Sequence, residues 1–422
     1  MPERLRDKPR VLVVADAGSP IAQNWIRCLV AGGSEVHVVS SHPSRPDSVS
    51  GAASFHVVPI GLSWLSRSGG GASSGGSARR GLLKTVVSEA RKRVPVTFLG
   101  AARDLVAPAE LFLHVRALRS IVESVRPDLV HAMRIPYEGM LAAEALQGSR
   151  VPLVVSVWGN DFTLHARSSR TIRILTQRAL ARTSALHVDC ERDGRIAPEF
   201  GFSSHAPIFQ APGNLGLDTS FFSTGASDNG LRSELGLEPR HRVVFNPRGV
   251  RSYVRTDVFL RAIPRVLAQV PDAAFVCLGL AGNAPLERLI DELGIRSAVR
   301  LTSTMPRARV RDIFRIAELS VSPSLHDGTP NTLLEAMACG SFPVAGDIES
   351  VREWIRSGEN GLLFDPRSPD ACAEAMIRAL RDDRLRADSK QRNAQLIAER
   401  ADEKTVLPRV EDFYRRVAFG AA

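Results

Sequence analysis

An asparagine, two threonines and two acids crowd into the segment from Ser322 to Gly340, SPSLHDGTPNTLLEAMACG. Thr329 suits an N-cap and Pro330 the first helical position, so the pattern predicts a helix opening at Thr329. The backbone N–H groups of Asn331, Thr332 and Leu333 then have no partner inside the helix and point out of its mouth. With the positive end of the helix dipole behind them, they favour an anion, and a diphosphate suits the set. Glu335 lies on the face of Asn331 and Thr332, roughly 6 Å deeper at about 1.5 Å per residue. That distance is close to the reach from a nucleotide's diphosphate to its ribose hydroxyls. Glu335 is the only charged residue of LLEAMACG. A carboxylate among such neighbours needs hydrogen-bond partners, and a ribose diol would supply them. The same residues also fit a plain capped helix whose glutamate meets solvent or a lysine.

Asp327, seven intervening residues, Glu335, AMACG and a Phe-Pro-Val strand together resemble the E-x7-E region of the retaining family 4 glycosyltransferases of GT-B fold. The similarity continues through Arg352-Glu353-Trp354-Ile355 into Gly358-Glu359-Asn360-Gly361-Leu362-Leu363. The first acidic position is an aspartate here, as in DGTPN variants of the family. The resemblance implies that Glu335 holds the donor ribose, that the amides of Asn331 to Leu333 contact the diphosphate, and that Asp327 lies near the donor sugar. It also implies an Arg and a Lys against the diphosphate in the loop NPRGVRSYVRTD. Arg248 falls in the place of the Arg. The Lys is missing; Arg251 and Arg255 compete for its place, with Arg255 preferred because it is nearer the helix. An arginine fork pairs well with phosphate oxygens.

Other loops offer weaker candidates. In VWGND a tryptophan, Trp158, replaces the histidine of the commoner family form; Asp161 is placed at the acceptor or donor sugar, and Gly159 lets the backbone come close. A plain turn fits that loop almost as well. The loop DAGSPIAQNW holds Asp16, Gly18 and Ser19 where acceptor and phosphate contacts occur in such enzymes, but it lacks G-x-G-x-x-G. In HAMRIPYEG, His131, Arg134, Tyr137 and Glu138 follow a strand, and a structural role is expected for the histidine. Glu349 is a further candidate for donor contact. The acids of Asp189, Cys190, Glu191, Arg192 and Asp193 read as a solvated helix start; no metal site is expected there. No D-x-D motif is present, so a metal is not required and the leaving diphosphate would be met by Arg248, Arg255 and the helix mouth.

At 422 residues, 44% hydrophobic and 24% charged, the chain is long enough for two ordinary globular domains. No apolar run reaches the 18 or more residues expected of a membrane span, and the start VLVVA is interrupted at Asp16, so a cytoplasmic location is expected. The five cysteines are widely spaced and give neither a disulfide framework nor a metal-ligand spacing. A net charge of +10 suits an anionic partner. Nucleic acid ranks lowest, because the basic residues are dispersed and no recognition motif accompanies them.

Strands alternate with helical stretches along the chain, which predicts an α/β protein of two Rossmann-like, doubly wound parallel sheets. VLVVAD, EVHVVSS, LVHA, LVVSVW and ALHVDC form the first series; VVFNP, FVCLGL, VRLTS, LSVSPS and FPVAG form the second. The expected divisions are 1–218, 219–400 and a C-terminal helix at 401–422, broken or kinked at Pro408. The resemblance implies that this helix crosses back onto the first domain and leaves a ligand cleft between the two. A Gly/Ser-rich insertion near 66–80 reads as a loop. The basic and apolar stretch that follows fits helices packed on the first domain, or an interfacial element touching anionic lipid.

The expectation is a glycosyltransferase moving a sugar from a UDP- or GDP-type donor to a glycan, lipid-linked or small-molecule acceptor, retention being implied by the resemblance alone. A sugar-nucleotide epimerase of the same fold and a non-catalytic scaffold subunit are the alternatives.

Overall fold

The computed structural model describes residues 8–43, 46–60, 96–226, 230–251 and 253–420, with the backbone alone at 48 and 96–109. The Gly/Ser-rich stretch and most of the segment after it lie outside the described residues. The chain divides into two compact units. The first takes Met1–Val188, Asp193–Phe209 and Arg409–Ala422; the second takes Asp189–Arg192 and Gln210–Pro408.

The first unit is built on β1 (Val11–Ala15), β2 (Val36–Ser40), β3 (Ser54–Val57), β4 (Leu129–Ala132), β5 (Leu153–Val157), β6 (Ala185–Val188) and β7 (Ile208–Gln210). Their order in the sheet is β3-β2-β1-β4-β5-β6-β7. The pairs from β3 through β6 are parallel, with Val11 opposite Val36 on one side and Leu129 on the other. Every residue of β1 is buried, as a parallel strand covered on both faces requires. Its helices are α1 (Pro20–Ala31), α2 (Val96–Val125), α3 (Met140–Ala145) and α4 (Arg170–Arg182).

One face of this sheet presents Leu12, Val130 and Val155 to Leu118, Met140 and Leu175. By the alternation of strand side chains, the other face carries His131, Ser156 and His187. There Trp25 Nε1 donates to the Tyr414 hydroxyl at 2.9 Å, and that hydroxyl lies 2.5 Å from His131 Nδ1. His131 Nε2, Ser156 Oγ and His187 Nδ1 continue the chain at 2.8 Å each. Burial holds His131 well below the usual histidine range, with His187 adding to the effect. A neutral, buried histidine in such a thread is a structural group, as expected for it.

The second unit repeats the winding. β8 (Arg242–Asn246), β9 (Ala273–Leu278), β10 (Val299–Thr302), β11 (Leu319–Ser322), β12 (Phe342–Gly346) and β13 (Leu362–Phe364) lie in the order β10-β9-β8-β11-β12-β13, parallel throughout. Its helices are α5 (Thr256–Leu267), α6 (Ala284–Glu292), α7 (Arg307–Ile316), α8 (Asn331–Cys339), α9 (Pro369–Arg381) and α10 (Asp383–Arg400); α11 (Glu403–Phe419) begins in this unit, and its residues from Arg409 on belong to the first. Apolar clusters cover both faces, one around Phe259 and Phe275 and the other around Phe245 and Phe314. Strand order reverses between β1 and β4 in the first unit and between β8 and β11 in the second; ligands of doubly wound sheets gather at such points.

The expected break in the C-terminal helical stretch is corrected. The helical stretch breaks at Ala401 and Asp402 rather than at Pro408, which lies inside α11. Leu217 fixes the break by donating its N–H to the Ala401 carbonyl at 2.6 Å and accepting from Glu403 N–H at 3.0 Å. The passage into the second unit comes at Gln210, ahead of Asp218, because Leu217 packs in that unit's core.

Candidate functional site

The switch point of the second unit joins two loops. At the end of β8, Asn246 Oδ1 accepts from Arg248 N–H at 3.0 Å and turns the chain. The Arg248 guanidinium then meets Asp327 Oδ2 at 2.6 Å and Thr332 Oγ1 at 3.3 Å. Only 12% of the arginine side chain and 15% of the aspartate side chain are exposed, so each charge depends on the other for compensation. Leu325 N–H donates to the Tyr253 carbonyl at 2.8 Å and ties the loops together. The Asp327 carbonyl accepts from Ser350 Oγ and from the Arg192 guanidinium, both at 2.9 Å.

The mouth of α8 differs from the expected one by a residue. Pro330, extended at φ −72 and ψ 118, holds the N-cap position, without a side-chain cap bond. Thr329 does not cap: its hydroxyl donates to the Asp189 carbonyl and accepts from Trp354 Nε1 at 3.0 Å. Leu333 N–H turns back to the Pro330 carbonyl at 2.9 Å, so Leu333 leaves the donor set. The amides of Asn331 and Thr332, at the first two helical positions, remain without intrahelical acceptors. Ser322, Ser324, Pro330, Thr332 and Gly346 line a recess beside them. Gly328 is required by close approach, because a Cβ there would stand 2.2 Å from Asp189 Oδ2.

Glu335 sits half-buried one turn inside the mouth. Desolvation pushes its carboxyl up to about 7, against the pull of Arg307 and Arg248. Among the described residues no side chain or backbone donor is within hydrogen-bond distance of it. An acid without partners, on the face of two open amides, is disposed to accept hydroxyl groups from a ligand.

The remaining candidates separate. Arg255 caps α5 in the left-handed region, φ 48, and its fork is closed on Asp257 at 2.9 and 2.8 Å. Arg251 reaches the Tyr253 hydroxyl. The Asp161 side chain has no exposed surface. Its oxygens accept from Arg134 Nε at 3.1 Å, Trp158 N–H at 3.2 Å and Ile135 N–H at 3.3 Å. Asp16 is exposed and folds its own loop, accepting from Gly18 N–H at 2.8 Å. Glu349 is exposed in a short helical turn, while Asp189, Arg192 and Asp193 are buried rather than solvated. Arg192, Arg307 and Trp354 were not legible as site residues. Each comes from a separate element, and only folding brings it to Asp327, Glu335 or Thr329.

Two family models match the chain. Residues 17–208 fit a glycosyl transferase 4-like domain, and residues 230–396, which contain Arg248, Asp327 and Glu335, fit the glycosyl transferases group 1. The chain belongs to the group 1 glycosyltransferases. Among curated relatives of this glycosyltransferase are D-inositol 3-phosphate glycosyltransferases. That of Rhodococcus opacus is 32% identical over 44% of the chain and 43% of the relative; that of Corynebacterium jeikeium is 32% identical over 52% and 55%. The chain thus matches about half the length of these relatives. Sucrose-phosphate synthase from Thermosynechococcus elongatus shares the fold at TM-score 0.73 and 15% identity, covering 97% of this chain and 99% of that one. Anabaena HepE in complex with UDP-glucose does so at TM-score 0.72 and 16% identity, covering 96% and 99%. This glycosyltransferase therefore has the GT-B fold, an α/β architecture of two Rossmann-like units.

Proposed function

We propose that the chain transfers a sugar from a nucleoside diphosphate donor, with a UDP-sugar favoured, to a hydroxyl of its acceptor with retention at the anomeric carbon. The observation that carries the reading is the convergence of Arg248, Thr332 and the open amides of α8 at one switch point, with Glu335 a turn deeper. As the sugar's C1–O bond breaks, the electron pair leaves with the diphosphate. Arg248 and the helix mouth are placed to stabilise the charge that develops there. Asp327 holds Arg248 in register, and Glu335 accepts from the ribose hydroxyls. The remaining work is positioning, and no metal is needed for it.

The names of the inositol phosphate relatives and of the UDP-glucose complex support a UDP-sugar donor and a phosphorylated polyol acceptor; a glycan or a lipid-linked acceptor uses the same donor half. No helix of the described residues is long and apolar enough to cross a membrane. We place the activity in the cytoplasm, with the anionic inner membrane face as a peripheral partner.

The reading is tested by incubating the protein with UDP- and GDP-sugars and inositol phosphate in EDTA, and reading the product's anomeric configuration by proton NMR. An α-linked product from an α-configured donor is expected. A β-linked product contradicts retention, and turnover only on adding magnesium contradicts metal independence.

A further inference from the structure

The first unit has its own switch point, between β1 and β4, and the chain leaving β4 there is unusually constrained. A wide turn at Ile135–Gly139 closes with Gly139 N–H donating to the Arg134 carbonyl at 2.8 Å. A Cβ on Gly139 would stand 2.8 Å from that same oxygen. Tyr137 within the turn holds φ 70 and ψ −67, a strained conformation for any residue with a side chain.

The turn presents Arg134, and the end of β5 braces it. Its Nε donates to the buried Asp161 at 3.1 Å, its Nη2 lies 2.8 Å from His165 Nε2, and its guanidinium covers the Trp158 ring at 5.6 Å. Two of the five guanidinium N–H groups are thereby used, which leaves three. The side chain is 30% exposed. Beside it Trp158 Nε1 is a buried donor with no partner, and Asn160 Oδ1 a buried acceptor with none. A buried donor left without an acceptor is costly, and a ligand acceptor at that place would relieve the cost. Two other acids are near. Asp16 is exposed on the β1 loop. Glu138 acts on Arg134, but Ser41 donates to it at 2.5 Å and burial pushes its carboxyl toward the neutral form. The Arg134 fork and the Trp158 N–H are thus donors with capacity to spare. The nucleotide site described above uses none of these groups.

We propose that Arg134 and the Trp158 indole N–H form an anion-binding subsite in the first unit that receives the phosphate group of the acceptor. The inference rests on the glycosyltransferase reading and narrows its acceptor to a phosphate ester. Asp161 and His165 are positioning residues that fix the fork, and Trp158 supplies a flat apolar support.

The test titrates inorganic phosphate by calorimetry into the full chain saturated with UDP, so that the helix mouth of α8 is occupied. Arg134→Gln alone would leave Asp161 as an unpaired buried charge, so the variant of choice joins it to Asp161→Asn; Arg134→Lys is the conservative control. Saturable phosphate binding, weakened at least about tenfold in the double variant and less in Arg134→Lys, with UDP affinity unchanged, is the expected result. Vesicles of phosphatidylglycerol in phosphatidylcholine form the second arm. A tenfold loss confined to vesicles keeps the subsite and assigns it to a lipid headgroup. Equal behaviour of wild type and double variant in both arms overturns the proposal. If UDP does not bind, the nucleotide reading fails on its own. The titration is then run without UDP, and the same comparison of wild type, Arg134→Lys and the double variant decides the subsite.

Discussion

The Arg248 guanidinium and the Asp327 carboxylate, delivered by the loops after β8 and β11, meet at 2.6 Å across the point where strand order reverses. The pair is nearly buried and Thr332 joins it, so the arginine is held at the helix mouth before any ligand arrives. Arg248→Ala is expected to weaken UDP binding about 10- to 100-fold, the worth of a charge-assisted hydrogen bond or two, while uridine binding changes little. Calorimetry with both ligands checks this; equal losses would place the arginine away from the diphosphate.

Glu335 makes the site sensitive to pH. Its folded carboxyl titrates at about 7, raised from 4.5 by desolvation. Below pH 4.5 both folded and unfolded forms are protonated and the group is neutral toward stability. Between 4.5 and about 7 the unfolded form ionises first, so this group's contribution falls as pH rises, by at most a few kcal/mol. Glu335→Gln should match the wild type near pH 4.5 and be the more stable protein above pH 7 in urea unfolding. Glu353, also pushed up to about 7, is present in both proteins and cancels in the difference.

The same ionisation governs the ligand. A carboxylate accepts from two ribose hydroxyls and a carboxylic acid from fewer, so UDP affinity should rise with pH through about 7. In Glu335→Gln the profile should be flat across that range and the affinity at pH 8 about tenfold lower or worse. An unchanged profile in the variant would remove Glu335 from the ribose.

Gly328 tests the loop itself. A methyl group there meets the Asp189 carboxylate at 2.2 to 2.3 Å, so Gly328→Ala must displace one segment or the other. A loss of about 1–3 kcal/mol in thermal or urea unfolding is expected, with UDP affinity reduced because Asp327 and Thr329 flank the shifted residue. A variant of wild-type stability and affinity would mean that the segment is free to move.

Within the first unit, Tyr414→Phe leaves Trp25 Nε1 and His131 Nδ1 without their shared partner. A cost of about 1–3 kcal/mol follows from the unsatisfied buried groups. Turnover per folded molecule should stay unchanged, which separates this thread from the chemistry.

Much of this arrangement was legible in the sequence because it depends on short-range pattern. Ten strands announced themselves as apolar runs, and DGTPN followed by LLE marked a helix entrance with an acid one turn in. β3, β7 and β13 were missed; each is an edge strand of three or four residues, too short to show a period. Thr329 misled because its hydroxyl finds Trp354 and the Asp189 carbonyl, partners remote in sequence, while Pro330 takes the cap position. Likewise, the VWGND motif shows an acid after a strand but not Arg134, 27 residues earlier, which bonds to it. Pro408 read as a breaker, yet the Leu217 bridge holds the break at Ala401.

The most direct test of the central claim is calorimetric binding of UDP, GDP and ADP to the purified chain, first without metal and then with magnesium. Tight binding of one nucleotide without metal, UDP foremost, and its loss by tenfold or more in both Arg248→Ala and Glu335→Ala, is the predicted result. Absence of binding by all three, or binding that both variants leave intact, would contradict a nucleotide site at the mouth of α8.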